Sequence, residues 1–129
     1  TVDTLGLVLR VLVTAANASE KTEAKRLLKQ VKQMSKPVKR LYLVWADGGY
    51  SGEPFLHWVM DSLGWILQVV LRPEEAKGFV LLKKRWVVER TFGWFNWSRR
   101  LSKDYERLPA SSEAMVYISM IRLMLRRLA

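Results

Sequence analysis

Leu7 to Thr14 is an almost unbroken apolar run, rich in β-branched residues and set off from Thr1–Asp3 by the turn Thr4-Leu5-Gly6. This pattern predicts a strand and the end of its hairpin partner. From about Glu20 to Met34 the rhythm changes. Ala24, Leu27, Leu28 and Val31 recur at helical spacing against a lysine-rich face, with Asn17 or Ser19 as cap and Pro37 as terminator. Leu41 to Ala46 is apolar and aromatic throughout, as a buried strand is, and it stops on Asp47-Gly48-Gly49-Tyr50. Pro54 opens a short helix through Phe55, Leu56, Trp58, Val59 and Leu63, which Gly64 closes. Trp65 to Leu71 is a further buried strand, halted by Arg72-Pro73. After a polar loop and the apolar Phe79–Leu82, a helix is expected from about Lys84 to Arg100. A connector follows at Tyr105–Pro109, and a last helix runs from Ser111 or Ser112 to Leu128.

The order is strand, strand, helix, strand, helix, strand, helix, helix. Such alternation implies an α/β chain, a mixed sheet with helices packed against it. At 129 residues it is one domain at most, and with half its residues hydrophobic it buries a core. The absence of cysteine excludes disulfides and thiolate metal sites and suits a reducing cytoplasm. No apolar run is long enough for a membrane span, and no signal peptide is expected. Thr1 stands first, within a strand–turn unit, as in a processed, truncated or excised chain.

Charge narrows the field. The net charge of +10 favours a polyanionic partner, nucleic acid being the usual one. Residues 41–71 hold no Lys or Arg but do hold Asp47, Glu53 and Asp61, while basic residues crowd Lys21–Arg40 before them and Arg72–Arg107 after. A surface made only for solubility mixes its signs. An acidic centre framed by cations suits DNA held against a metal site.

Asp47 ends a buried strand, where α/β sheets present ligands and metals, and the paired glycines turn the backbone sharply behind it. Its plainer reading is an Asp-Gly turn. Glu89 follows in Arg85-Trp86-Val87-Val88-Glu89-Arg90, where a surface ion pair with Arg85 is the plainer reading. Trp86, Phe92, Trp94, Phe95 and Trp97 are most simply the core of a helix lying on a sheet; stacking on unpaired bases is the alternative. Trp94 and Trp97 are the pair least suited to share a buried face with Trp86. The Lys21–Arg40 charges read first as a solvated helix face, with phosphate contacts as the alternative. His57, without a second His or any Cys, reads as a packing or surface residue.

Three blocks together resemble the ribonuclease H-like catalytic domain of bacterial insertion-sequence DDE transposases. Val44-Trp45-Ala46-Asp47-Gly48-Gly49-Tyr50 looks like the second-aspartate block of that family. Arg85-Trp86-Val87-Val88-Glu89-Arg90-Thr91-Phe92 looks like its glutamate block, and Arg99 to Leu108 like the basic tail after it. With Val2-Asp3-Thr4-Leu5-Gly6 the resemblance spans nearly the whole chain, residues 1–129 then being one partial catalytic domain. It implies Asp47 and Glu89 as catalytic metal ligands and Mg²⁺ or Mn²⁺ as cofactor. Arg85, Arg90, Arg99, Arg100 and Lys103 become DNA contacts. The implied partners are double-stranded DNA, transposon ends and target, with a homodimer allowed, and the implied location is the bacterial cytoplasm.

DDE enzymes hold two divalent cations ~3.5–4 Å apart on clustered carboxylates, activating water or a 3′-hydroxyl and stabilising the leaving oxygen. Two departures stand out. Many relatives set the glutamate in a Tyr-x-x-Arg-x-x-x-Glu pattern with a Lys seven residues later; here Leu82 replaces the Tyr and Asn96 the Lys, leaving that contact to Arg99, Arg100 or Lys103. The family also needs an aspartate on a first core strand. Asp3 is the acid nearest the start and reads as a turn residue, so the chain is expected to be a C-terminal part that lacks that strand and is inactive alone. A catalytically inactive DNA-binding remnant and a related metal-dependent nuclease are the alternatives.

Overall fold

The computed structural model describes residues 1–34, 36, 38–71 and 82–129, without the side chain of Lys83. Pro37, Arg72-Pro73 and the start of the Phe79–Leu82 run, to which the sequence assigned stops and an apolar segment, lie outside the described residues. The chain divides into two compact units: Ser19–Trp86, and Thr1–Ala18 with Val87–Ala129.

The unit Ser19–Trp86 contains helix α1 (Glu20–Gln33), strand β1 (Leu43–Ala46), helix α2 (Glu53–Leu63) and strand β2 (Ile66–Val69). β1 and β2 pair in parallel, Leu43 opposite Ile66 and Ala46 opposite Val69, so among the described residues the expected mixed sheet is a two-stranded parallel one. The parallel sense follows from the α2 crossover between them. Trp65 and Leu67 are buried while Ile66 and Gln68 are exposed, a period-two pattern where a fully buried strand was expected. The helices pack on one face, α2 on β2 and α1 on α2. On the open face Trp45 Nε1 donates to Gln68 Oε1 at 2.8 Å, between register partners.

The core joins Leu28 and Val31 of α1, Val38, Phe55, Val59 and Leu63 of α2, and Trp65 and Leu67. Its α2 members lie four residues apart, one stripe of the helix. Full burial of each such side chain contributes roughly 1.5–3 kcal/mol. The lysine face of α1 does more than meet water. Lys32 Nζ donates to the Leu63 carbonyl at 2.7 Å, and Lys25 and Lys29 lie 5.1 and 5.8 Å from the Trp58 ring centroid. Gly64 closes α2 in the left-handed region, φ 69°. Ser19 is the N-cap of α1 but makes no side-chain capping bond.

In the other unit Asp3 is a turn residue. Its Oδ1 accepts from the Leu5 and Leu7 amides at 2.9 and 2.8 Å, and Val2 and Val8 form one antiparallel bridge. Leu7–Thr14 does not continue as a strand. Val11 N donates to Tyr117 Oη at 3.2 Å and Val13 N to Glu113 Oε1 at 2.9 Å, so side chains of the last helix satisfy amides that a neighbouring strand would otherwise take.

Helix α3 (Lys83–Phe95) stops five residues before the expected Arg100. Trp97 and Ser98 amides bond three residues back, to Trp94 and Phe95, and Ser98 is extended. A short 3₁₀ turn, Arg99–Leu101, follows. The last helix, α4 (Pro109–Leu128), begins at Pro109, where the missing amide costs nothing, rather than at a serine cap. The tryptophan-rich set is not a core: Trp97 is 88 % and Phe92 64 % exposed, and Trp86 is exposed as well. No helix among the described residues is long and apolar enough to cross a membrane.

Candidate functional site

Asp47 follows β1 directly, in extended backbone, and caps the 3₁₀ turn Gly48–Tyr50. One carboxylate oxygen, Oδ1, accepts the Gly49 amide at 3.2 Å, and the Asp47 carbonyl accepts the Tyr50 amide at 3.1 Å. The side chain is exposed. A strand end and a tight turn thus hold a carboxylate open to solvent, with Oδ2 free of any hydrogen bond to described residues.

A second acid shares this corner. A methyl at Gly49 would sit 3.3 Å from Asp47 Oδ1 and 3.5 Å from Glu20 Oε2, so both carboxylates face the same glycine. Tyr50 records them: burial first, then the charges of Glu20 and Asp47, raise its phenol above the ordinary value of 10.0. Glu20 gives no signal in the sequence, because an acid in the first turn of a helix is ordinary there, where it complements the dipole.

Glu89 lies on α3, in the unit that also holds Arg90, Arg99, Arg100 and Lys103, whereas Asp47 and Arg85 belong to the other. Glu89 is exposed, as are Arg85, Arg99 and Lys103. Among the described residues the ion pairs are Arg26–Glu23 and Arg100–Glu106, and Glu89 takes part in neither. Arg90 is half-buried and engaged. It donates to the Leu5 carbonyl at 3.0 Å and lies 5.2 Å from the Trp94 ring centroid. Arg100 Nε donates to Glu106 Oε1 at 3.0 Å.

Among the described residues no three His, Cys, Asp or Glu side chains gather as a metal-holding group. Asp47 and Glu89 offer hard carboxylate oxygens, the donor type that Mg²⁺ and Mn²⁺ take, and neither is neutralised by an ion pair among the described residues.

The sequence profile of the "Transposase DDE domain" family matches residues 1–124, and the chain belongs to that family. It is 32 % identical over 109 residues to the "Putative transposase for insertion sequence element IS402" of Burkholderia cepacia. That match covers 81 % of this chain and 51 % of the relative, so the chain spans about half the relative's length. No solved structure matches.

Proposed function

We propose that this chain is the C-terminal portion of an insertion-sequence DDE transposase, built on a ribonuclease H-like fold. Such an enzyme cuts donor DNA at transposon ends by hydrolysis and joins the 3′-hydroxyl to target DNA by transesterification. The observation that carries the reading is Asp47: a solvent-facing carboxylate at the end of a parallel strand, held by its own Gly49 amide, in a chain matched to the family over residues 1–124. Its span of half the relative supports the assignment to a portion.

In this reading Asp47 and Glu89 are two of the three carboxylates that hold Mg²⁺ or Mn²⁺. Those ions supply a metal-activated nucleophile and a stabilised leaving oxygen. The Gly49 amide fixes the Asp47 rotamer, so the carboxylate needs no reordering to accept a cation. Exposed Arg85, Arg99 and Lys103 meet phosphate; Arg90 and Arg100, already bonded within their unit, position the segments that carry them. Asp3, whose Oδ1 accepts two amides of its own turn, is in this reading a turn residue and not the first aspartate of the triad, and the 129-residue chain alone does not transfer strands.

Two measurements test this. Mn²⁺ titrated into the chain and followed by its paramagnetic signal should bind weakly, and more weakly after Asp47→Asn or Glu89→Gln. Unchanged binding in both variants would remove them as ligands. Incubation with DNA bearing the element's ends should give no joining, and joining abolished by Asp3→Ala would show that Asp3 completes the triad.

A further inference from the structure

An open cleft of about 440 Å³ lies within the unit Thr1–Ala18 and Val87–Ala129, formed by the end of α3, the turn after it and the outer part of α4. Trp94, Trp97, Arg122 and Arg126 are among its lining residues, and no acidic side chain is. Trp97 stands almost free, with its indole faces available. Trp94 is held in place: the guanidinium carbons of Arg127 and Arg90 lie 4.5 and 5.2 Å from its ring centroid. Arg122 and Arg126 are four residues apart on α4, hence on one face and about 6 Å apart along the axis. Ser98 and Ser119 hydroxyls meet at 2.7 Å in the lining. One bond between them leaves a second proton and further lone pairs for a ligand's polar edge.

We propose that this cleft binds an unpaired nucleotide of single-stranded DNA, its base stacked on Trp97 and its phosphates held by Arg122 and Arg126. The proposal rests on the DNA-processing function above and adds a site to it. The volume suits a ligand of nucleotide size. The positive charge, unopposed by any lining acid, selects an anion. The exposed indole selects a planar partner, and a base within a duplex has both faces covered by its neighbours in the stack. A free strand offers what Trp97 can use. Energetically, one stacked base is worth roughly ten-fold in affinity or more.

The test compares binding of a labelled oligo-dT strand and a duplex of equal length to the 129-residue chain by fluorescence anisotropy. Trp97→Ala should weaken single-strand binding about ten-fold with duplex binding unchanged, and Trp97→Phe should restore most of it. Arg122→Ala and Arg126→Ala should each lower the salt slope of single-strand binding by about 0.7. Trp97 is so exposed that its replacement leaves the fold intact, which circular dichroism checks. Duplex binding with a single-strand affinity indifferent to Trp97→Ala would overturn the cleft and spare the wider function. Binding of neither DNA would overturn both. A change in self-association on Trp97→Ala, by sedimentation, without a change in single-strand affinity would make the cleft an interface between copies and likewise overturn the proposal.

Discussion

Thr91 Oγ1 lies 2.7 Å from the carbonyl oxygen of Gly6, in a contact that is 2 % exposed on the threonine side. The same oxygen is 2.9 Å from the Val87 carbonyl, so its single proton is shared or alternates between them. The contact ties α3 to the N-terminal turn, and Gly6 permits it. Its φ is +83°, and a methyl there would stand 2.8 Å from Thr91 Oγ1 and 3.1 Å from the Trp94 ring. Thr91→Val keeps the shape and removes the donor, and should cost about 1–3 kcal/mol in urea unfolding. Gly6→Ala adds a backbone cost of about 1–2 kcal/mol to a clash and should destabilise at least as much. A midpoint unchanged in either variant would count against this tie.

Gly64 supplies the contrast. Its φ is +69°, yet nothing stands within 4 Å of where a methyl would go. Gly64→Ala should therefore carry the backbone cost alone, about 1–2 kcal/mol. A loss exceeding that of Gly6→Ala in the same assay would contradict the assignment of the larger cost to crowding.

Tyr50 gives a pH signature. Its phenol is raised by burial, then by Glu20, then by Asp47, so the folded state holds its proton more tightly than the unfolded state does. The associated stability is complete below the ordinary value of 10.0 and is lost as pH climbs through the raised folded value. Wild type should thus lose stability relative to Tyr50→Phe once pH passes about 10. Asp47→Asn should shift the Tyr50 titration, followed by tyrosinate absorbance against the Tyr50→Phe blank, towards lower pH. No movement would separate Asp47 from Tyr50.

DNA binding should carry the mark of the charge excess. With a net charge of +10, affinity for duplex DNA should fall steeply with salt, by about 0.9 in logarithmic slope for each phosphate neutralised. Arg99→Ala and Lys103→Ala should each reduce that slope by roughly one contact. A flat response to salt would remove the electrostatic basis of binding.

Features encoded by near neighbours are legible in the amino-acid sequence. The i, i+3, i+4 stripe of α1, Pro54 and Gly64 bounding α2, the Asp47 turn and the Asp3 turn all rest on interactions within a few residues, and each stands where its pattern places it. Leu7–Thr14 does not follow its pattern, because a strand needs a neighbour to take its amides, and α4 side chains from about a hundred residues away take two of them. The set Trp86, Phe92, Trp94, Phe95 and Trp97 reads most simply as core, with Trp94 and Trp97 least suited to it, because hydrophobicity says only that a ring gains by burial; whether another surface arrives to cover it is decided elsewhere in the chain. For the same reason Glu20 looks like an ordinary first-turn acid until the fold sets it beside Asp47 at Gly49. The sequence by itself determined that helices lie in these four stretches, though not every end of them, together with the turns and the chemistry of single residues, since these depend on residues close by in the chain. Only the tertiary structure decided which acids share a corner and which aromatic rings face water, since those depend on contacts between segments that no local pattern encodes.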